Sequence, residues 1–497
     1  MTHQTASTFS MSDRPHDPVN EYEREPVPEQ ARLGIKSYVG QFAGEHVAGT
    51  ELMIGPLFLA HGVSAFDFIV GLLVGNLLAV LSWTFLTAPI ATRCRLTLYY
   101  QLEKICGRRL VTAYNLANGV MFTVLAGAMM TVSATALGVY FKFSMPQLSD
   151  TLPTGIGWVV AVLATGALFS IVAAYGYRFV ARFANLAAPW MVLVFLAFGI
   201  IGLHEMGLNS VGDFWNVASN VIWKGGDPQP GQIKFTFWHV MFFAWFCNMA
   251  WHIGMADLSV LRFARKSWYG LTSAAGMYIG HFMAWIAAST LYAVQLQQDP
   301  ANTAVLPGPL AYNACGLAGL LCVVAAGWTT ANPTLYRAGL AFQSLIPNSS
   351  RFKVTLLTGL VASVSAVFPI VTMRLLDFVA LWGMILMPMG AVIFVDFWML
   401  PRLGLRSNLA EFTGCTINWA AGTAWIASVA VCSWLAVGDT VINWILAEFR
   451  LPWAIPHGWC GAGTAQIFFV SLPGWFITSL LYVVLSKFLQ RTRNTAA

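Results

Sequence analysis

Charge is scarce in this chain. Asp, Glu, Lys and Arg make up 10% of its 497 residues, whereas a soluble domain carries roughly 25%. The polar surface needed to face water on all sides is missing. The formal net charge of +6 is small and scattered, which argues against a nucleic-acid partner. Cysteine occurs in no metal-type or redox-type spacing. The eight, Cys94, Cys106, Cys247, Cys315, Cys322, Cys415, Cys432 and Cys460, form no CxxC and mostly sit in apolar runs, which fits small apolar fillers. The N-terminal residues carry no apolar core, so no cleavable signal is expected. His46, His239, His252 and His281 form no HExxH or paired motif, which argues against a membrane-embedded enzyme.

What is abundant is apolar length. Hydrophobic residues make up 57%, with 20 Trp and 34 Phe, many near the ends of apolar runs, as for interfacial anchors. The stretch from Met1 to about Ala31 is rich in Pro, Glu, Ser and Thr and reads as a disordered cytoplasmic tail. Twelve apolar stretches follow, each long enough to cross about 30 Å of hydrocarbon. Spans 1 to 4 lie near 35–60, 66–92, 109–142 and 153–174. Spans 5 to 8 lie near 185–204, 235–261, 268–295 and 309–345. Spans 9 to 12 lie near 352–371, 375–400, 415–437 and 464–488. The loops 205–234 and 438–463, rich in Gly, Pro, Trp and Asn, are expected to carry short interfacial helices.

The basic residues test this count. Arg14, Arg24, Arg32, Lys36, Arg93, Arg95, Lys104, Arg108, Arg109, Arg178 and Arg182 fall on one side. So do Arg262, Arg265, Lys266, Arg337, Arg351, Lys353, Arg402, Arg406, Lys487, Arg491 and Arg493, making 22 of the 27 Lys and Arg. The other side keeps Lys142, Lys224, Lys234, Arg374 and Arg450. A split this uneven predicts a multi-pass protein of the cell inner membrane with both termini cytoplasmic.

Polar residues cluster where Gly interrupts two spans. Span 1 contains Gly44-Glu45-His46-Val47-Ala48-Gly49-Thr50-Glu51, with ionisable groups at a depth where they are costly. They read either as part of an unwound helix or as charges solvated at the interface. Span 6 contains Asn248, Trp251, His252 and Asp257, with Gly254 as a plausible break point and Trp245 and Trp251 as a stacking surface or plain packing. Asp257 and Arg262 read as a helix-end anchor or a gate. Spans 1 and 6 are five apart, and an odd-numbered repeat inserts its second copy upside down, which sets two broken helices face to face. On this scheme span 8 matches span 3. It brings Thr329 and Thr330, hard hydroxyl donors suited to a small cation, although threonine in a helix also bonds its own backbone.

These residues resemble a known family. Gly62-Val63-Ser64 with Gly75-Asn76 resembles the "GLS…GN" stretch of bacterial cytosine permeases. Asp257 with Arg262-Phe263-Ala264 is similar to their "D…RFA/RYA". Trp328-Thr329-Thr330 with Leu335-Tyr336-x-Ala338-Gly339-Leu340 resembles "WTTNDNNLYSAGL", and Pro388-x-Gly390-x5-Asp396-Phe397-Trp398 resembles "PPIGGVIIADYW". Over about residues 35–400 the chain thus resembles the first nucleobase–cation symporter family, with the purine–cytosine permeases nearest. The resemblance implies an all-α membrane protein of twelve transmembrane helices, a LeuT-like five-plus-five inverted repeat plus two C-terminal helices. The implied parts are a tail 1–31, a first repeat 32–204, an extracytoplasmic loop 205–234, a second repeat 235–401, additional helices 402–489 and a tail 490–497.

It further implies sodium as coupling ion, held by the carbonyls of Gly44, Val47 and Ala326 and the hydroxyls of Thr329 and Thr330. No other cofactor is expected. The substrate pocket departs from the family. Its span 1 aromatic falls on Ala48, its span 6 aromatic on Asn248, and its span 8 Asn on Ala331, beside Asn332. Its span 3 Trp and Gln have no counterpart in 118–123. The candidate substrate residues are Ala48, Gly49, Glu51, Phe122, Trp245, Asn248, Trp251, His252 and Asn332, in a more polar pocket suited to a cationic or strongly hydrogen-bonding cargo. The expected function is sodium-coupled symport of a nucleobase-like or related nitrogenous heterocycle. The alternatives are a proton-coupled transporter of another polar or cationic small molecule, working through Glu51 or His46, and a channel or non-transporting sensor. The expected partners are that small molecule and the lipid bilayer, with no nucleic acid and no obligatory protein partner evident.

Overall fold

The computed structural model describes residues 21–146, 150–346, 348–372, 375–448 and 454–495. The first twenty tail residues with Arg14, and also Arg374, Arg450 and the last two residues, lie outside the described residues. Among the described residues the chain is helical, with only two isolated bridge pairings and no strand.

Nine helices among the described residues are long and apolar enough to cross a membrane, by length and composition. They are Ala65–Cys94, Arg108–Phe141, Ile156–Ala174, Tyr177–Glu205, Ser267–Gln298, Pro307–Leu345, Phe378–Met399, Trp419–Glu448 and Ser471–Gln490. Spans 1, 6 and 9 are not among the nine. Span 9 forms Arg351–Ala366, 16 residues. Span 1 is two helices, Lys36–His46 and Glu51–Ala60, parted by a turn in which Val47 takes φ −88°, ψ 57°. Span 6 is broken twice. Phe237–Phe246 stops at Cys247-Asn248, Met249–His252 makes one turn, and Leu258–Leu261 follows a second interruption. Gly254 lies in that second interruption, beside Met255 at φ 65°, so it marks only one of two breaks. Of the two outer loops, 205–234 contains the short helices Val211–Asp213 and Phe214–Val217. In the other, 438–463, the helix Trp419–Glu448 runs on to residue 448 because the apolar pattern continues past residue 437, and Trp459–Gly461 forms a short helix.

Packing reveals the repeat. Span 3 packs on span 8 and span 4 on span 9. Span 2 packs on span 6 as span 7 packs on span 1, and span 4 on span 8 as span 9 on span 3. Each contact returns when every span number is shifted by five, the pattern of an inverted repeat. Spans 2 and 7 each carry a π-helical stretch, Trp83–Thr87 and Ala275–Phe282. The paired contacts use equivalent small residues: Gly75 meets Ala244 across spans 2 and 6, and Gly55 meets Ala288 across spans 1 and 7. Such residues let membrane helices approach closely.

Span 10 depends on one of them. A Cβ at Gly390 would overlap the carbonyl of Ile253, in the broken part of span 6. Gly390→Ala is expected to lower stability by about 1–3 kcal/mol through overpacking, read as thermal unfolding in detergent. Gly226→Ala, with open space around it, should leave the melting curve where it is.

Residues 21–33 depart from the expected disordered tail. They form a strap across the end of the bundle where spans 2, 5, 6 and 9 meet. Glu21, Glu23, Val27 and Ala31 are buried. Arg262 donates to the carbonyls of Glu21 at 2.8 Å and Tyr22 at 2.6 Å. Arg351 pairs with Glu23 at 3.2 Å, and the Tyr177 N–H donates to the Glu21 carboxylate at 3.0 Å. Val27 N–H reaches the Arg95 carbonyl and Leu33 N–H that of Phe263. A polar composition is compatible with order here because buried arginines on the bundle supply the partners.

Candidate functional site

The two breaks face a small cavity of about 60 Å³, room for a few waters and well below the 300–1,000 Å³ of typical ligand pockets. Its polar wall is Glu45, His46, Thr50, Glu51, Asn248, Trp251, His281 and Thr330, with Ala48, Cys247, Ile54, Leu125, Met129 and Val379 completing it. Glu51 is the first residue of the second half of span 1, where the helix N-terminus favours a carboxylate. Its Oε2 accepts from the Trp285 indole N–H. His281 stacks on Trp285 at 4.4 Å between centroids and lies 5.0 Å from the ring of His46. The Asn248 amide nitrogen is 3.0 Å from His281 Nε2. Nδ1 of His46 is 2.8 Å from the Phe42 carbonyl, and its buried Nε2 has no hydrogen-bond partner among the described residues.

Below the cavity, toward the strap, lies a charge network. Arg337 of span 8 is fully buried. It holds Glu45 of span 1 at 2.6 Å and Asp257 of span 6 at 2.5 Å. Trp251 donates to Glu45 at 3.0 Å, Gln41 donates to it at 3.0 Å, and Trp83 donates to Asp257 at 2.6 Å. Sequence reasoning put Arg337 among the loop-side basic residues. The structure corrects this, because two carboxylates from other helices balance the guanidinium inside the bundle. It also removes the Asp257–Arg262 pairing: Asp257 belongs to Arg337, and Arg262 to the strap.

Of the groups considered for a cation, Thr329 and Thr330 lie against the end of the first half of span 1. Thr329 and Thr330 both donate to the Ala326 carbonyl, at 3.1 and 3.0 Å, and Thr330 also lies 3.1 Å from the Glu45 carbonyl. A Cβ at Gly44 would sit 3.6 Å from Thr329 Cβ. Among the described residues nothing donates to the carbonyls of Gly44 and Val47. An unpaired carbonyl inside a membrane protein is expensive. Unpaired carbonyls, hydroxyls and the Ala326 oxygen are all oxygen donors of the type hard cations take.

Of the candidate substrate residues, Ala48, Glu51, Asn248 and Trp251 line the cavity. The others do not line it. Gly49 is pressed against Val132. Phe122 packs edge-on against Trp382 at 4.6 Å and Trp251 at 6.2 Å. Trp245 turns to span 2 and donates to Ser82. His252 lies against Trp83 at 4.5 Å, and Asn332 is buried with neither amide atom partnered among the described residues. Sequence reasoning missed His281 and Trp285. A histidine in an apolar span with a tryptophan four residues on, hence on the same helix face, was the available signal.

The chain has the fold of the five-plus-five inverted-repeat transporters and is a multi-pass membrane protein. No family model and no curated protein matches it; the likeness is to solved structures. One is Mhp1, a nucleobase-cation-symport-1 family transporter, in a closed conformation with bromovinylhydantoin bound. The TM-score is 0.68 at 15% identity, over 95% of this chain and 96% of that one. The inward-facing conformation of Mhp1 gives 0.62 at 15% identity, over 96% and 94%. A Na+-coupled sialic acid symporter in a substrate-bound outward-open state gives 0.64 at 15% identity, over 94% and 92%.

Proposed function

We propose that the protein is a secondary active transporter that carries a nucleobase-like or related nitrogenous heterocycle by sodium-coupled symport. The observation that carries this reading is the meeting of two broken helices at one small cavity walled in part by Glu45, Glu51, Asn248 and His281, with oxygen donors on the neighbouring span 8. Ala48, Glu51, Asn248 and Trp251 would contact the cargo, joined by His281. The carbonyls of Gly44, Val47 and Ala326 with the hydroxyls of Thr329 and Thr330 would hold sodium. That Mhp1 is a nucleobase-cation symporter and another neighbour a Na+-coupled symporter supports the choice of cargo and ion. No chemical step is required. Transport follows from binding the cargo and ion differently in states open to opposite sides.

The basic residues support an inner-membrane location with both termini cytoplasmic, and the strap would then lie on the cytoplasmic face. A proton-coupled variant is favoured by one observation, the Glu51–His281 approach at 3.6 Å. Uptake of radiolabelled nucleobases and hydantoins into proteoliposomes tests both. Accumulation that collapses with the sodium gradient and survives a proton ionophore is the expected result. The reverse pattern would select the proton, and absence of accumulation under either gradient would reject transport of these compounds.

A further inference from the structure

The cavity wall holds two carboxyl groups with different partners. Of its two carboxylates, Glu45 is matched by Arg337. Glu51 has no such partner: Oε2 takes the Trp285 N–H, while Oε1 accepts no hydrogen bond among the described residues. The nearest basic group is Nε2 of His281, 3.6 Å away. That nitrogen is already within 3.0 Å of the Asn248 amide nitrogen, an N–H donor. The same amide nitrogen also lies 3.3 Å from Nδ1 of that ring, and no hydrogen bond joins the imidazole to Glu51. No Lys or Arg lines the cavity. An unpaired carboxylate deep in a membrane protein is costly and marks a functional position.

We infer that the missing cation is the cargo: Glu51 is its counter-ion, and the site takes a small planar organic cation with N–H donors, of the amidinium, guanidinium or protonated aminopyrimidine class. An N–H+ donor to Oε1 forms a charge-assisted hydrogen bond, roughly twice as strong as a neutral one. The indole of Trp251 in the same wall adds cation–π attraction. Glu51 is thus a specificity-determining residue: it favours a protonated base over its neutral isostere. This rests on the transporter reading and narrows its substrate class.

The test uses full-length protein in lipid nanodiscs at saturating sodium, which keeps the sodium site filled. Two probes of equal size, acetamidinium and acetamide, are titrated at millimolar concentration while thermal unfolding is followed. Saturable stabilisation by acetamidinium, at least about tenfold tighter than by acetamide, is expected. Glu51→Gln, whose amide oxygen still accepts from Trp285, should reduce acetamidinium to the level of acetamide, and Glu51→Asp should restore part of the difference. Equal binding of the two probes, binding of neither, or full acetamidinium binding by Glu51→Gln overturns the inference. If Glu51→Gln does not fold, the two probes on the parent protein decide alone. The two readings fail separately. Sodium-driven accumulation of a neutral heterocycle that is undiminished in Glu51→Gln sinks the counter-ion role and leaves transport standing. A parent protein that accumulates nothing sinks transport whatever the probes do.

Discussion

Arg337→Met is expected to destabilise the protein by about 3–5 kcal/mol, the usual cost of removing one partner from a buried ion pair. The residue has no exposure to solvent and is the single cation between Glu45 and Asp257 at 2.6 and 2.5 Å. Without it, two carboxylates on different helices face each other with only the donors Gln41, Trp251 and Trp83. Folding yield by fluorescence-detected size exclusion and melting in nanodiscs both report the loss. The triple variant Glu45→Gln, Asp257→Asn, Arg337→Met should recover most of the stability, since it leaves no charge uncompensated. If Arg337→Met melts like the parent protein, the network carries no structural weight. If the triple variant stays as unstable as the single one, packing around Arg337 matters more than its charge.

Thr330→Ala should raise the sodium concentration needed for half-maximal stimulation of uptake by roughly 10–100-fold. A hydrogen bond or ligand oxygen facing a charged group contributes about 1.5–3 kcal/mol, and each 1.4 kcal/mol is tenfold in affinity. Thr330 also lies 3.1 Å from the Glu45 carbonyl, so its hydroxyl joins span 8 to the break in span 1. Thr334 is one turn further along span 8 and bonds only the Thr330 carbonyl, at 2.7 Å. Thr334→Ala is the matched control and should keep the parent sodium dependence. Equal sodium dependence in Thr330→Ala and the parent would reject the assignment of the cation site.

Much of the fold was legible because bilayer physics writes itself into composition. Apolar length marks the crossings, and glycine next to polar side chains marked the breaks near Val47 and Gly254 as places where backbone goes unpaired; the break at Cys247-Asn248 carries no glycine. Thr329 and Thr330 could be placed beside the first break because Trp328-Thr329-Thr330 resembles a permease motif whose hydroxyls join the span 1 carbonyls at a cation site. Arg337 was not legible as a core residue: a cation near the end of an apolar run looks the same whether it meets headgroups or two carboxylates. Only tertiary packing brings Glu45, 292 positions away, to it. The strap was misread for a related reason. Proline and glutamate are poor at building a core, and composition does not show that Arg262 and Arg351 wait on the bundle to receive them. Ala48 and Asn248, where the resemblance would place aromatic rings, both line the cavity. The contribution of span 7, His281 and Trp285, needed the fold.

The strap ties two helices to one piece of main chain. Arg262 on span 6 grips its carbonyls while Arg351 at the start of span 9 grips its acidic side chains. Whenever those two helices part at this face, the amino end must either stretch between them or let go of one. Its attachment therefore doubles as a built-in gauge of opening, and a spin label at Arg24 would read out which side the pathway faces without touching cargo or ion.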